Sequence, residues 1–486
     1  MNLTLRPAFR AQTLPGLIAA CLMATVPAAW AQSPESNLVR EHLRQGRPHQ
    51  PAELLVQFRP QAGTVEQQRN LRRVQGTVIE TVMRKGQRPD AKGDLLSIRV
   101  PPGRALADVI TQLEADESVE FAEPNWTYTR QQVIGDDPYA SSSCLAPDAY
   151  NGNRSSNCLW GVLGEFTAPA NPYGSGALQA LSSGLLCDSN VHVGVIDEGI
   201  MVTHTDLAAN IWVNPLDSTI NKVDNDANGF IDDTNGWDFA GRNRTVYDGA
   251  SDDHGTHVAG TIASSLNNGA GGFGVCPSAK LISAKFLGTN SGTTANAIAA
   301  VNYLTMLKKK QGLKIVATNN SWGGGGFSSA LRDAINTSGA AGILFVVAAG
   351  NSNVNIDVTP SYPASYRLLN MISVAAINSA GARASFSNYG ATTVDIAAPG
   401  TNILSTVPTS SGRAAYAYYA GTSMATPHVT GAAALFASKC PNATGAQIKT
   451  AILAAARVNT NLNGLVVGSR QLDVSNFATL TCPTTP

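Results

Sequence analysis

The chain predicts a doubly wound α/β domain on a mainly parallel sheet, with helices on both faces, preceded by a small α+β domain. Three observations carry this expectation. From residue 131 onward, short and nearly continuous apolar runs alternate with helix-like stretches, as parallel strands covered by crossover helices require. Between 52 and 130, strand-like and helix-like patterns are interleaved in a segment without cysteine. The composition is that of a folded protein, 43% hydrophobic and only 14% charged, with no net charge. That balance excludes nucleic-acid binding, since phosphate backbones demand clustered Lys and Arg.

Residues 1–31 read as a secretory signal peptide. Arg6 and Arg10 precede an apolar run over Leu14–Val26, and Ala29-Trp30-Ala31 offers a cleavage site before Gln32. The run is too short for a membrane span, and no other stretch reaches the ~18 apolar residues that one needs. Ile18-Ala19-Ala20-Cys21 also looks like a lipoprotein box, so lipid anchoring or a periplasmic location stand as alternatives to full secretion. Residues 32–51, polar and rich in Arg and Gln, are expected to be a flexible lead-in. L-L-V-Q-F (54–58), L-L-S-I-R-V (95–100) and V-E-F-A-E-P-N-W (119–126) predict extended segments, and 64–74 and 104–115 predict helices.

In the larger part, 131–486, apolar runs at 191–197, 280–287, 314–320, 342–350, 371–377 and 393–400 predict strands, and 255–265, 293–310, 328–338 and 422–438 predict helices. In such a sheet the site lies at the carboxyl ends of the strands. Asp197 closes V-G-V-I-D, His254 opens the H-G-T-H-V-A-G-T helix, and Ser423 lies in A-G-T-S-M-A-T-P-H, where a long apolar helix begins. A hydroxyl nucleophile needs a base, and the base needs a carboxylate to fix its tautomer. Each residue alone also has a plain reading, as a cap or as a hydrogen-bonded core residue. His254 and His257, three apart, could equally begin a zinc site, but H-E-x-x-H is missing from the sequence.

Taken together, V-I-D-x-G, H-G-T-H-V-A-G-T, A-A-G-N and G-T-S-M-A-T-P-H-V-T-G, in this order, resemble the subtilisin-like serine proteases, the subtilases. The resemblance covers about 135–478. It implies a secreted serine endopeptidase with Asp197, His254 and Ser423 as the triad and Asn351 as the oxyanion-hole side chain. Glu198 departs from the family, which usually has Ser or Thr there. It sets a second carboxylate beside Asp197, removes no catalytic part, and bears on the pH profile. The resemblance also places Ser321, Trp322 and Gly323 on one wall of a substrate groove and Ala348, Ala349 and Gly350 on another. Ser352 and Ser361 then fall at the base of the primary pocket. Both are uncharged, so broad cleavage after neutral, apolar or aromatic residues is expected.

D-N-D-A-N-G-F-I-D-D (224–233) sets Asp224, Asp226 and Asn228 at alternate positions, followed by the Phe230 carbonyl and Asp232, a pattern of oxygens suited to structural Ca2+. The twelfth position is Asn235, so this is no EF-hand. The resemblance adds a second calcium site at Asp137, Asp206, Leu266 and Asn268. It also marks 52–130 as an inhibitor-type propeptide, an intramolecular chaperone and inhibitor removed by cleavage near Thr129–Asp136. A monomer acting on protein and peptide substrates follows. Of seven cysteines, Cys21 lies in the leader; the six that remain allow 15 pairings. The family topology favours Cys187–Cys276, with Cys144–Cys158 and Cys440–Cys482 completing the set. The competing reading from another class is a catalytically silent, calcium-dependent binding protein on the same scaffold. The complete triad argues against it.

Overall fold

The structure, a computed structural model, describes residues 34–86, 91–130, 159–167, 170–288 and 291–484. The signal peptide, Asp137, the proposed Cys144–Cys158 pair and most of the expected cleavage region lie outside the described residues. The first domain contains α1 (Pro34–Arg44), β1 (His49–Phe58), α2 (Thr64–Val74), β2 (Thr77–Met83), β3 (Leu95–Arg99), α3 (Leu106–Glu114) and β4 (Val119–Arg130). Its antiparallel order is β4-β1-β3-β2. The expected flexible lead-in is therefore corrected over most of its length. Leu38, Val39 and Leu43 recur at helical spacing, Val39 is buried, and Arg40 pairs with Glu114 at 2.7 Å. The Arg and Gln around those three residues masked the pattern.

The larger domain runs α4 (Ala177–Ser182), β5 (His192–Asp197), β6 (Gly236–Asp238), α5 (Asp253–Ala263), β7 (Lys280–Lys285), β8 (Gly292–Thr293), α6 (Thr294–Gln311), β9 (Ile315–Asn320), β10 (Trp322–Gly323), α7 (Ser329–Ala340) and β11 (Leu344–Ala348). It continues through β12 (Met371–Ile377), β13 (Ile396–Pro399), β14 (Ile403–Pro408), β15 (Ala414–Tyr419), α8 (Thr422–Lys439), α9 (Gly445–Ala455), β16 (Arg457–Val458) and β17 (Arg470–Gln471). Strands order as β16-β17-β13-β12-β11-β9-β5-β7-β6, parallel except at the β16–β17 edge. The chain leaves β5 to one side for β7 and returns on the other for β9. Asp197 ends β5 at that reversal, where a crevice opens in such sheets.

Helix ends follow local chemistry. Thr293 caps α6 through Asn296 N–H, and Gly312 closes it with φ +71°, a conformation that glycine adopts without strain. Ser328 caps α7 through Leu331 N–H at 3.0 Å. One apolar core joins α6 and α7 to the sheet and runs on without a break into the first domain, through Trp126, Tyr128 and Trp322. A second core fills the opposite face, under α5, α8 and α9. Cys187 bonds Cys276, and Cys440 bonds Cys482.

Candidate active site

At the end of β5, Asp197 Oδ1 lies 2.8 Å from His254 Nδ1, with both residues buried. Two glycines permit this approach of strand end and helix start. A Cβ on Gly255 would stand 2.2 Å from the Gly199 carbonyl oxygen, and Gly199 itself has φ +128°. The intervening Glu198, also buried, donates its N–H to Asp197 Oδ1 at 2.8 Å and accepts the His254 N–H on Oε1 at 2.7 Å. Below them, Lys285 at the end of β7 donates to the Glu198 carbonyl and to Asp252 Oδ1, the latter at 2.7 Å. Burial works against the Lys285 ammonium, but Asp252 and Asp248 hold its pKa above the usual value.

Ser423 occupies the first turn of α8, where backbone N–H groups favour a developing anion. Pro427, inside that helix, has no N–H to offer the Ser423 carbonyl four residues back. Ser321 supplies the missing donor: its Oγ donates to the Ser423 carbonyl at 2.9 Å, and Ser423 Oγ donates to the Ser321 carbonyl at 3.0 Å. Thr422 donates to Asn351 Oδ1 from its N–H at 2.9 Å and from its Oγ1 at 2.8 Å. This fixes the orientation of the Asn351 amide beside the first turn of α8.

His257, one turn beyond His254, is packed structure. Its Nε2 bridges the carbonyls of Ile403 and Ala417 at 2.9 and 3.1 Å, and its ring stacks on Tyr419 at 4.4 Å. Burial and the neighbouring His254 push its pKa down to about 3.

Two short strands, β8 and β10, flank the expected groove, and β4 of the first domain lies between them. Thr127 and Tyr128 pair with β8, and Thr129 and Arg130 pair with Gly323 and Trp322 of β10. Trp322 is fully buried against Tyr128 at 5.1 Å and Phe286 at 4.7 Å, so it supports the groove from beneath. Ala348 and Ala349 are buried at the end of β11. Ser352 is exposed, with its N–H on Asn388 Oδ1 at 3.0 Å, and Ser361 precedes a cis Tyr362–Pro363 bond. Gly324 N–H donates to the Tyr362 carbonyl at 3.2 Å, tying the segment after β10 to the one that carries Ser361.

Comparison with known families places residues 188–471 in the subtilase family and residues 37–125 in the fervidolysin N-terminal prodomain family. The chain belongs to the subtilase family. It is similar to an extracellular protease of Xanthomonas campestris pv. campestris, 38% identical over 282 residues, covering 55% of this chain and 48% of that one. It is also similar to Subtilisin E of Bacillus subtilis, 39% identical over 286 residues, with 58% and 65% covered. The chain thus spans about half to two thirds of the length of these relatives. Among solved structures, fervidolysin from Fervidobacterium pennivorans, described as a keratinolytic enzyme related to subtilisin, matches with a TM-score of 0.65 and 25% identity. That match covers 90% of this chain and 62% of fervidolysin.

Two acidic regions of this subtilase bear on calcium. Asp217, Asp224 and Asp226 bring carboxylate oxygens within 4.8 Å of one another. Burial and the Asp224 carboxyl raise the pKa of Asp226, against hydrogen bonds from Asn214 and Asn228, and a divalent cation would relieve that repulsion. Asn228 joins the group by donating to Asp226, and its Oδ1 accepts the Phe230 N–H at 2.7 Å. Asp232 stands outside it, its oxygens accepting the N–H groups of Asn221 and Lys222 at 3.0 and 3.1 Å. In the second region the 266–272 loop folds onto buried Asp206, with Asn268 Nδ2 donating at 2.7 Å and Gly272 N–H at 3.1 Å. Burial pushes Asp206 up to about 6, and these neutral donors only partly offset it. Leu266 lies exposed at the start of that loop.

Sequence reasoning missed Asp217, Lys285, and the contacts of Glu198 and Thr422. Lys285 had a signal, as the charge that closes K-L-I-S-A-K at its buried end, opposite the half-buried Lys280 that opens it. Asp217 had none, because it precedes the D-x-D-x-N pattern by seven residues.

Proposed function

We propose that this chain is an exported serine endopeptidase, made as a zymogen, that hydrolyses peptide bonds through Asp197, His254 and Ser423. The observation that carries the reading is the buried 2.8 Å contact between Asp197 Oδ1 and His254 Nδ1, on the same strand-end platform as the Ser423 helix. Ser423 Oγ attacks the substrate carbonyl, His254 takes its proton and later gives it to the leaving amine, and Asp197 fixes the imidazole tautomer. With Asn351 Oδ1 accepting from Thr422, the Nδ2 end of the amide serves the developing oxyanion together with the Ser423 N–H.

Substrate main chain would pair with β8 and β10 where β4 now lies, an added strand that gives affinity without sequence preference. The first domain then acts as a chaperone and inhibitor, cleaved near Thr129–Asp136. Its hold on the catalytic domain is dense. Glu123 caps the start of α7, accepting Ser329 N–H at 2.7 Å, and Arg47 donates to the Gly325 and Pro360 carbonyls at 3.0 and 2.9 Å. Neutral Ser352 and Ser361 favour apolar or aromatic residues before the cleaved bond. The residues fit structural calcium in two places: Asp217, Asp224 and Asp226 with Asn228 beside them, and Asp206 with Asn268 and the 266 carbonyl. An ion there would neutralise buried carboxylates and stiffen the loops, and it has no part in the reaction. Among the described residues no helix is long and apolar enough to cross a membrane.

The test is a peptide-library cleavage profile of the secreted chain beside its Ser423→Ala variant. Cleavage after apolar or aromatic residues, lost in the variant, is expected. Cleavage surviving in the variant, or confined to bonds after Lys and Arg, contradicts the proposal.

A further inference from the structure

We propose that Glu198 is a positioning residue for the general base: its carboxylate caps the helix that carries His254 and stabilises the imidazolium formed during the reaction. The inference rests on the reading of Asp197, His254 and Ser423 above.

His254 is the second residue of α5, inside the turn where the helix dipole is positive and disfavours a cationic side chain. A carboxylate accepting a first-turn N–H offsets that field, and here the N–H belongs to His254 itself, at 2.7 Å. The residue that must carry the proton is therefore the one whose backbone is capped. Three polar groups of Glu198 serve the same few atoms. Its N–H holds Asp197 Oδ1 at 2.8 Å, its Oε1 holds the His254 backbone, and its carbonyl accepts from Lys285. Lys285 is itself anchored to Asp252, which directly precedes α5, so the strand end and the helix start are tied at two points. Glu198 is only 2% exposed. Burial and the adjacent Asp197 oppose its ionisation, the His254 N–H and the positive end of α5 favour it, and once ionised its charge acts with little screening by water.

The other charged or titratable groups around His254 leave room for this effect. Asp197 makes the direct contact. His257, one turn on, is held neutral by burial. Asp252 and Asp248 are paired with Lys285, and Asp253 accepts the Tyr419 hydroxyl. Ionised Glu198 would add a second negative charge on the side where α5 begins.

The experiment compares the wild-type, Glu198→Gln and Glu198→Ala forms of the self-processed full chain. Active sites are titrated with a fluorophosphonate, and kcat and KM are measured from pH 5 to 10. Glu198→Gln keeps an acceptor for the His254 N–H and removes the charge. Its acid limb in kcat/KM, which reports the base of the free enzyme, is expected to move down by about 0.5–1 pH unit with KM within about twofold. Glu198→Ala loses acceptor and charge, and kcat is expected to fall about 10- to 100-fold at constant KM. An acid limb unmoved in Glu198→Gln overturns the proposal, as does a rise in KM with kcat unchanged. A structural role alone would lower the yield or the melting temperature and leave the acid limb in place. If Glu198→Ala does not accumulate, the isosteric Gln variant decides alone. Failure of the underlying reading looks different: Ser423→Ala would then still cleave peptides, or no label would attach.

Discussion

Replacing Lys285 by Met tests how the helix bearing His254 is fastened to the sheet. Lys285 and Asp252 have side chains 3% exposed and lie 2.7 Å apart, and Lys285 also reaches Asp248 at 3.2 Å. The substitution leaves the Asp252 carboxylate buried without its cation, and stranding one member of such a pair costs about 3–5 kcal/mol. The Glu198 carbonyl loses a donor as well, for about 1 kcal/mol more. At roughly 2 °C per kcal/mol for a domain of this size, the melting temperature should fall by about 8–12 °C. The assay is a thermal scan at fixed rate on the Ser423→Ala background, which prevents self-digestion. Adding Asp252→Asn removes the stranded charge but keeps an acceptor for the Asp248 N–H, now 2.7 Å away. The double variant should recover at least half of the loss. A single variant that melts within about 1 °C of its parent, or a double variant that melts lower than the single, would show that the pair does not fasten α5.

Asn351→Ala should lower kcat by about two to three orders of magnitude with little change in KM; an unchanged kcat would remove Asn351 from the oxyanion site. Release of the cleaved first domain should respond to pH in opposite directions in two variants. Burial and then the Arg47 charge hold His42 at about 4, so its contribution to docking is intact above about 6.5 and is lost as pH falls towards 4. Burial raises Glu123 to about 7, so its contribution is intact below about 4.5 and is lost as pH rises towards 7. Onset of activity should therefore quicken on acidification in Glu123→Gln and on alkalinisation in His42→Asn, and equal slopes in both would refute the assignment. Chelation with EDTA should lower the melting temperature, and Asp217→Asn should blunt that effect; an indifferent melting temperature would count against both calcium sites.

The fold was legible where strands are buried on both faces, because a continuous apolar run has few other uses. V-H-V-G-V-I-D and G-I-L-F-V-V-A-A-G fall on β5 and β11, within the one or two residues by which helix and strand ends vary. Elements with one wet face were harder to see. Strand β2 is half exposed at a sheet edge, and the hairpin of β14 and β15 lies off the main sheet. Helix α1 looks like a solvated Arg-rich segment until β4 is there to receive it. The site divides in the same way. Asp197, His254 and Ser423 stood out as candidates because each sits inside a dense local motif. The groups that hold them were not, because their contacts join distant residues. Lys285 reaches Glu198 across 87 positions, and Ser321 meets Ser423 across 102. The separate role of His257 followed only in part from sequence, since its partners, the Ile403 and Ala417 carbonyls, lie more than a hundred residues downstream.

The most direct test of the central claim is mass-spectrometric mapping of a fluorophosphonate adduct on the processed chain, with peptidase activity followed in the same sample. A single adduct on Ser423, formed in step with the loss of activity and abolished by His254→Ala, is the predicted result. Full activity with Ser423 unlabelled, or an adduct that leaves cleavage intact, would contradict it.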